Sequence, residues 1–397
     1  MIENSFPPSH LLTFSPSHLI MTRDIYVQAR ADHVASLASA TPLSAIEELV
    51  WNALDADARE VKVDLVQNPL GGIDAIRVVD DGSGIDILKA DDTFGSLGGS
   101  WKMVGAALTA AYGRRLHGRH GRGRFKAFAL GTHVEWRTTM RVGEELLSYV
   151  LSGDASEPGL FHIAQADKPG PATGTEVFVT GVRATADSLT VAEMVVQALA
   201  AKFALYLKAY PDVRVYFCGI PVSPVIVQKQ AAEYKVTLEN GQEAKLEVIE
   251  WRKKFSGKGR IVFCGRDGFA LHERPSGVRS GQPFSYTAYL QGPRFAELAA
   301  ENALVMDELH PEVRAWLDAV RKVLKEYFHR RAEEESAERL AKWLSEGCYP
   351  FAADDASDER RRFDEGVADL RAHIDSFDAM PVAERTYLFN LLKRTIG

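Results

Sequence analysis

Glu48, Asn52 and Asp55 stand at i, i+4 and i+7 in the run Glu48-Leu49-Val50-Trp51-Asn52-Ala53-Leu54-Asp55-Ala56. On a helix these positions share one face. Ile46, Leu49, Val50, Ala53 and Leu54 make the opposite, apolar face. A carboxamide oxygen is a hard ligand suited to Mg2+, an ion that takes few protein groups and prefers phosphate oxygens and waters. A carboxylate one turn earlier can orient and deprotonate a water aimed at a terminal phosphate. Asp55 can support such a site by hydrogen bonding to a nucleotide or to bound waters. The plain alternative is a charged stripe in solvent, and for Glu48 alone the two readings weigh about equally. Asn52 tells against the stripe, because asparagine is a mediocre helix former.

Downstream, Asp80 ends an apolar strand and opens Asp80-Asp81-Gly82-Ser83-Gly84. A carboxylate there can accept a hydrogen bond from an adenine amino group, and Gly82 and Gly84 let the backbone approach a flat base. Taken alone, an ordinary Asp-Gly turn explains the same residues better. A third cluster is Gly118-Arg119-His120-Gly121-Arg122-Gly123-Arg124-Phe125-Lys126-Ala127-Phe128. Glycines at 118, 121 and 123 expose backbone N–H groups ahead of an expected helix, which makes an anion cradle. Arg119, Arg122, Arg124 and Lys126 add charge for a polyphosphate. A basic loop facing solvent or nucleic acid is the alternative. No Gly-Lys-Ser/Thr follows, and the glycine order is not that of a dinucleotide fold. Gly174-Thr175, at the start of the strand Glu176-Val177-Phe178-Val179, gains meaning only in combination with the others.

The elements that must hold these residues are legible in the pattern. A helix over about 42–57 has two competing starts: Thr41 as N-cap with Pro42 at the first position, or Ser44 and Glu47 as a capping box. Val61–Val66 and Ala75–Val79 alternate as strands around the turn Asn68–Gly72. A glycine-rich loop over about 81–101 and a helix over about 103–113 follow. Strands are expected near 133–138, 146–151, 160–165 and 176–180, then a helix at about 190–208 and a strand at 213–217. Asn240-Gly241 marks a hairpin, and strands are expected near 259–264 and 284–290. From about 309 the pattern is helical and highly charged. It carries Trp316, Val320, Val323, Leu324 and Phe328 on one face, breaks near Gly347-Cys348-Tyr349-Pro350, and resumes over about 357–376 and 381–395.

Composition bounds the rest. The 397 residues are 46% hydrophobic and 25% charged, which fits a globular protein of two or three domains. No apolar run reaches the roughly 18 residues of a membrane span. Three cysteines with no CxxC pair argue against a disulfide framework or zinc site and fit a reducing cytoplasm. The net charge of −7 leaves any nucleic-acid argument to local basic clusters. Residues 1–24 read as a flexible N-terminal extension, and Met21 offers itself as an alternative start. The final residues, Leu391–Gly397, still read as helix, as expected of a chain cut from a longer protein.

In this order and spacing, the four motifs resemble those of the GHKL superfamily. That superfamily takes in gyrase-type topoisomerases, ninety-kilodalton heat-shock chaperones, sensor histidine kinases, MutL and the MORC proteins. The resemblance covers roughly residues 25–185. Glu48, Asn52, Asp55 and Ala56 match its ExxxNxxDA helix, and Asp80, Gly82 and Gly84 match its DxGxG loop. Gly118, Gly121, Gly123, Ala127 and Phe128 match the glycine element of the chaperone branch, and Gly174-Thr175 matches its terminal GT. The resemblance implies a Bergerat-type α/β sandwich, with a mixed sheet covered on one face by helices. It implies ATP and Mg2+ as cofactors, Glu48 as general base, Asn52 as Mg2+ ligand, and Asp80 reading adenine beside Thr175. Residues 81–117 would be the lid. Within them Gly98-Gly99-Ser100-Trp101-Lys102 resembles a GxSxK element of the MORC-like bacterial branch, which implies Lys102 at phosphate. Trp51 and Arg124 depart from the family pattern and leave the branch open.

The same resemblance implies the domain order: an ATP-binding domain over 25–185, a transducer-like α/β domain over 186–330, and a helical C-terminal region over 331–397. The second domain would supply a cation to the γ-phosphate, with Lys253, Lys254, Lys258 and Arg260 as candidates. The expected activity is ATP hydrolysis driving lid closure and pairing into a homodimer, within a bacterial defence or DNA-processing system. Two alternatives stand beside it. One is a nucleotide-gated module for DNA, motivated by the basic residues of 114–126, or for a partner protein. The other is a histidine kinase, disfavoured because the fold begins near residue 25 with no dimerising helix pair before it.

Overall fold

The computed structural model describes residues 23–26, 40–90, 108–114, 116–117, 123–166, 170–252, 259–266, 268–278, 285–374 and 376–396. It is a mixed α/β protein with two sheets and a helical C-terminal part.

The helix bearing Glu48, α1, spans Pro42–Asp55. Thr41 wins the competition for its start: its side chain accepts from Ser44 N at 3.3 Å, and Pro42 takes the first helical position, where a missing N–H costs nothing. The Ser44–Glu47 capping box does not form. Ser44 already lies inside the helix, and the Glu47 carboxylate faces Lys202 Nζ at 3.8 Å. The helix stops two residues before the expected end. Ala56 N–H closes back on Asn52 O and Ala53 O, and Asp57 turns to a φ of 65°. Ala45, Ile46, Leu49, Val50, Trp51, Ala53 and Leu54 are buried. Each large apolar side chain removed from water contributes roughly 1.5–3 kcal/mol, so the polar face is fixed by what the other face buries.

That helix packs on a nine-stranded sheet ordered β1-β6-β5-β4-β7-β3-β2-β8-β9. The strands are β1 (Arg23–Tyr26), β2 (Glu60–Gln67), β3 (Ile73–Asp80), β4 (Gly131–Val142), β5 (Glu145–Asp154), β6 (Leu160–Gln165), β7 (Gly174–Val182), β8 (Arg214–Phe217) and β9 (Ile220–Pro221). Neighbours are antiparallel except β2 and β8, which are parallel. A short helix, α2 (Gly123–Lys126), leads into β4, and α3 (Ala192–Ala209) precedes β8. Ile46, Leu49 and Val50 of α1, Leu199 and Phe203 of α3, and Val63, Ile76, Val78, Val134 and Val179 of the sheet share one core. This sheet runs beyond residue 185, since β8 rejoins it alongside β2. The helix expected near 103–113 is a turn in its described part, where Gly113 N bonds Thr109 O at 3.2 Å.

The second sheet is ordered β10-β11-β14-β12-β13, with β10 at Gln228–Thr237, β11 at Glu243–Trp251, β12 at Arg260–Cys264, β13 at Ala270–Pro275 and β14 at Ser285–Gln291. β10 and β11 form the hairpin marked by Asn240-Gly241, with Gly241 at a φ of 81°. β1 and β13 had no sequence signal: both are short, and β13 is half-buried along most of its length without alternation.

The chain divides into two compact units: residues 1–275 with 285–313, and residues 276–284 with 314–397. Both sheets lie in the first. The second holds most of α4 (Pro311–Ser345), with α5 (Asp358–His373) and α6 (Val382–Ile396). Its core is aromatic: Trp343, Tyr349, Phe351, Phe363, Phe377 and Phe389 cluster together. No helix among the described residues is long and apolar enough to cross a membrane.

Candidate nucleotide site

Glu48, Asn52 and Asp55 all stand on the half-buried face of α1, away from its core residues. Glu48 Oε2 accepts from Lys126 Nζ at 2.9 Å, which ties α1 to α2. Asn52 makes no side-chain hydrogen bond among the described residues, so its amide oxygen is available to a cation. Asp55 Oδ1 accepts from His117 N at 2.7 Å, binding the helix to the segment just before Gly118.

Asp80 ends β3 opposite Thr175, the second residue of β7. Its Oδ1 accepts from Gly82 N at 2.8 Å and Thr175 N at 3.3 Å. Burial pushes the carboxyl up to about 6, against these two N–H groups, which favour its charged form. Both glycines of the loop are demanded by close approach. A Cβ on Gly82 would lie 2.6 Å from Ala56 O, and one on Gly84, whose φ is +76°, would lie 2.2 Å from Thr139 O. The loop is also fastened to the end of α1, since Ser83 N donates to Ala56 O at 2.7 Å.

Thr138, a residue without any sequence signal, completes this corner. It pairs with Thr175 across β4 and β7, and their hydroxyls are 3.1 Å apart. Its Oγ1 also accepts from Ile85 N at 2.9 Å, holding the chain that leaves Gly84. Asp57 also escaped the sequence reading, and Arg114 was read there only as part of a basic cluster. Asp57 accepts from Ala111 N at 2.7 Å, and Arg114, 3% exposed, donates to Ala58 O and Asp57 O, both at 2.7 Å. Arg114 is therefore engaged inside the fold and is not part of a basic surface for DNA.

Of the remaining candidates, Gly123 begins α2, while Lys102, Gly118 and Gly121 lie outside the described residues, as do Lys253, Lys254 and Lys258. Most of the expected lid, 81–117, lies outside them too. Arg260 starts β12 and pairs with Glu273. It lines a cavity of about 750 Å³ together with Ser44, Glu47, Lys202 and Glu273. Glu48, Asn52, Asp80 and Thr175 are not in that lining, so this cavity and the site built around Asp80 are separate places.

Residues 40–155 match the model of the histidine kinase-, DNA gyrase B-, and HSP90-like ATPase family. They form a GHKL ATPase domain. A 53-residue stretch is 43% identical to the DNA mismatch repair protein MutL of Halalkalibacterium halodurans, covering 13% of this chain and 8% of that protein. Within residues 40–155 the motif-bearing elements are physically joined: α1 to the Asp80 loop through Ala56, the loop to β4 through Thr138, and α1 to α2 through Glu48 and Lys126. Thr175 lies past the matched stretch and enters the site through the pairing of β7 with β3.

Proposed function

We propose that this protein binds MgATP on the polar face of α1 and hydrolyses it. The observation that carries the reading is the Asp80 corner. A carboxylate held by Gly82 N and Thr175 N sits on a loop that is itself fastened to the end of the helix bearing Glu48 and Asn52. Asp80 accepts the adenine amino group, with Thr175 and Thr138 beside it, and Gly82 and Gly84 let the loop that carries it lie tight against Ala56 and Thr139. Asn52 offers its carboxamide oxygen to Mg2+, and Asp55 steadies the far end of the helix face. The cation supplies neutralisation of phosphate charge. Lys102 and the glycines 118, 121 and 123 hold the phosphates. Glu48 takes a proton from water as its oxygen bonds the γ-phosphorus. The bond to the bridging oxygen breaks, and its electron pair leaves with ADP.

In this reading the nucleotide state drives a conformational change: ATP binding pairs two chains and hydrolysis releases them. A role in DNA processing is supported by the short similarity to MutL and by the gyrase-containing family. Equilibrium binding of a non-hydrolysable ATP analogue tests the site itself. Binding that strengthens with Mg2+, and loses that Mg2+ dependence in Asn52→Ala, is expected. Absence of nucleotide binding by the intact chain would refute the proposal.

A further inference from the structure

Glu48 is a half-buried carboxylate with one oxygen already spoken for. Lys126 Nζ lies 2.9 Å from its Oε2, and the two side chains are 29% and 16% exposed. Among the described residues, the other oxygen, Oε1, accepts no hydrogen bond. Both partners adjoin buried residues. Glu48 precedes Leu49 and Val50, both buried in the core. Lys126 follows Phe125 and precedes Ala127 and Phe128, none of them exposed. Phe125 and Phe128 both pack against Phe161 of β6. A pair this far covered is screened less by solvent than an ion pair between two exposed side chains.

We propose that Lys126 is a positioning residue for Glu48, an inference that rests on the ATPase reading above. The ammonium holds Oε2, which sets the carboxylate plane and leaves Oε1 to face the attacking water. A lysine suits this because a compact cation grips a single oxygen and leaves the second uncovered, where an arginine fork tends to engage both.

The test is a double-mutant cycle on the full chain, with kcat, KM and ADP affinity measured for each variant. Lys126→Met is expected to lower kcat about tenfold or more, part of the roughly 10²–10⁴ that a positioned base contributes, while KM and ADP affinity hold. In a Glu48→Gln background the same change is expected to alter the residual rate less than about twofold, since the two residues act as a unit. Lys126→Arg, which keeps the charge and the fold, is expected to recover part of kcat. Equal losses in both backgrounds would overturn the proposal, as would a rise in KM at unchanged kcat, which would make Lys126 a phosphate ligand. An active wild type with an inert Glu48→Gln and an unaffected Lys126→Met would refute the role of Lys126 alone. A wild type that binds ATP without turning it over would overturn both this inference and the hydrolysis it rests on.

Discussion

Asp80 shows what a buried carboxylate, proposed to bind adenine, costs the fold. Burial raises its carboxyl from 3.8 to about 6, so the folded protein holds that proton more tightly than the unfolded chain does. Its ionisation therefore opposes folding above about pH 6, and the opposition fades as pH falls from about 6 to below 4. Asp80→Asn keeps an oxygen for Gly82 N and Thr175 N and removes the buried charge. It is expected to raise the thermal midpoint at pH 7, to change it little at pH 4, and to weaken ATP binding at pH 7. Calorimetry at the two pH values, with ATP titration, checks all three. Asp80, Gly82 and Thr175 were legible because their types and spacing are themselves the signal. Thr138 was not: a threonine in a strand is ordinary, and its meaning arises only from pairing with a residue 37 positions away. The sequence left two starts open for α1, and the Thr41 N-cap, three residues before Ser44, displaced the Ser44–Glu47 box.

At the scale of elements, the helices and most strands followed from periodicity, whereas the fastenings between elements did not. The segment 109–114 is a turn held by Asp57 and Arg114. Arg114 was read as part of a basic cluster because charge in a sequence does not reveal burial. Its guanidinium serves two backbone carbonyls that terminate α1 and lead into β2. Arg114→Met leaves those acceptors without their donors and is expected to cost roughly 2–4 kcal/mol, measurable by urea unfolding. If the arginine were instead a DNA contact, stability would be unchanged and only the salt-dependent binding of DNA would fall. A second fastening joins α1 to α3 and the second sheet: Lys202 Nζ lies 2.9 Å from Glu273 Oε2 and 3.8 Å from Glu47 Oε2. Burial holds Glu47 above its usual carboxylate range, with Lys202 pulling the other way. A shift of α1 on nucleotide binding would thus be felt by the second sheet through Glu47, the residue beside the proposed base.

At the scale of the whole molecule, the stretch that matches the ATPase family model, residues 40–155, is one part of a chain that also holds a second sheet and a helical unit. The proposed nucleotide-driven pairing would make that arrangement useful, because hydrolysis in one domain would then reset the whole assembly. Sedimentation is expected to show a monomer without nucleotide and a dimer with a non-hydrolysable ATP analogue and Mg2+. A monomer under both conditions would remove pairing from the account and leave catalysis untouched. The central claim is narrower: Glu48 on α1 activates the water that attacks ATP. The direct measurement is phosphate release from ATP by the wild type and Glu48→Gln, alongside ATP affinity for each. The account predicts that Glu48→Gln binds ATP about as well as the wild type and loses roughly 10²-fold or more in turnover. Equal turnover by the two proteins would contradict it.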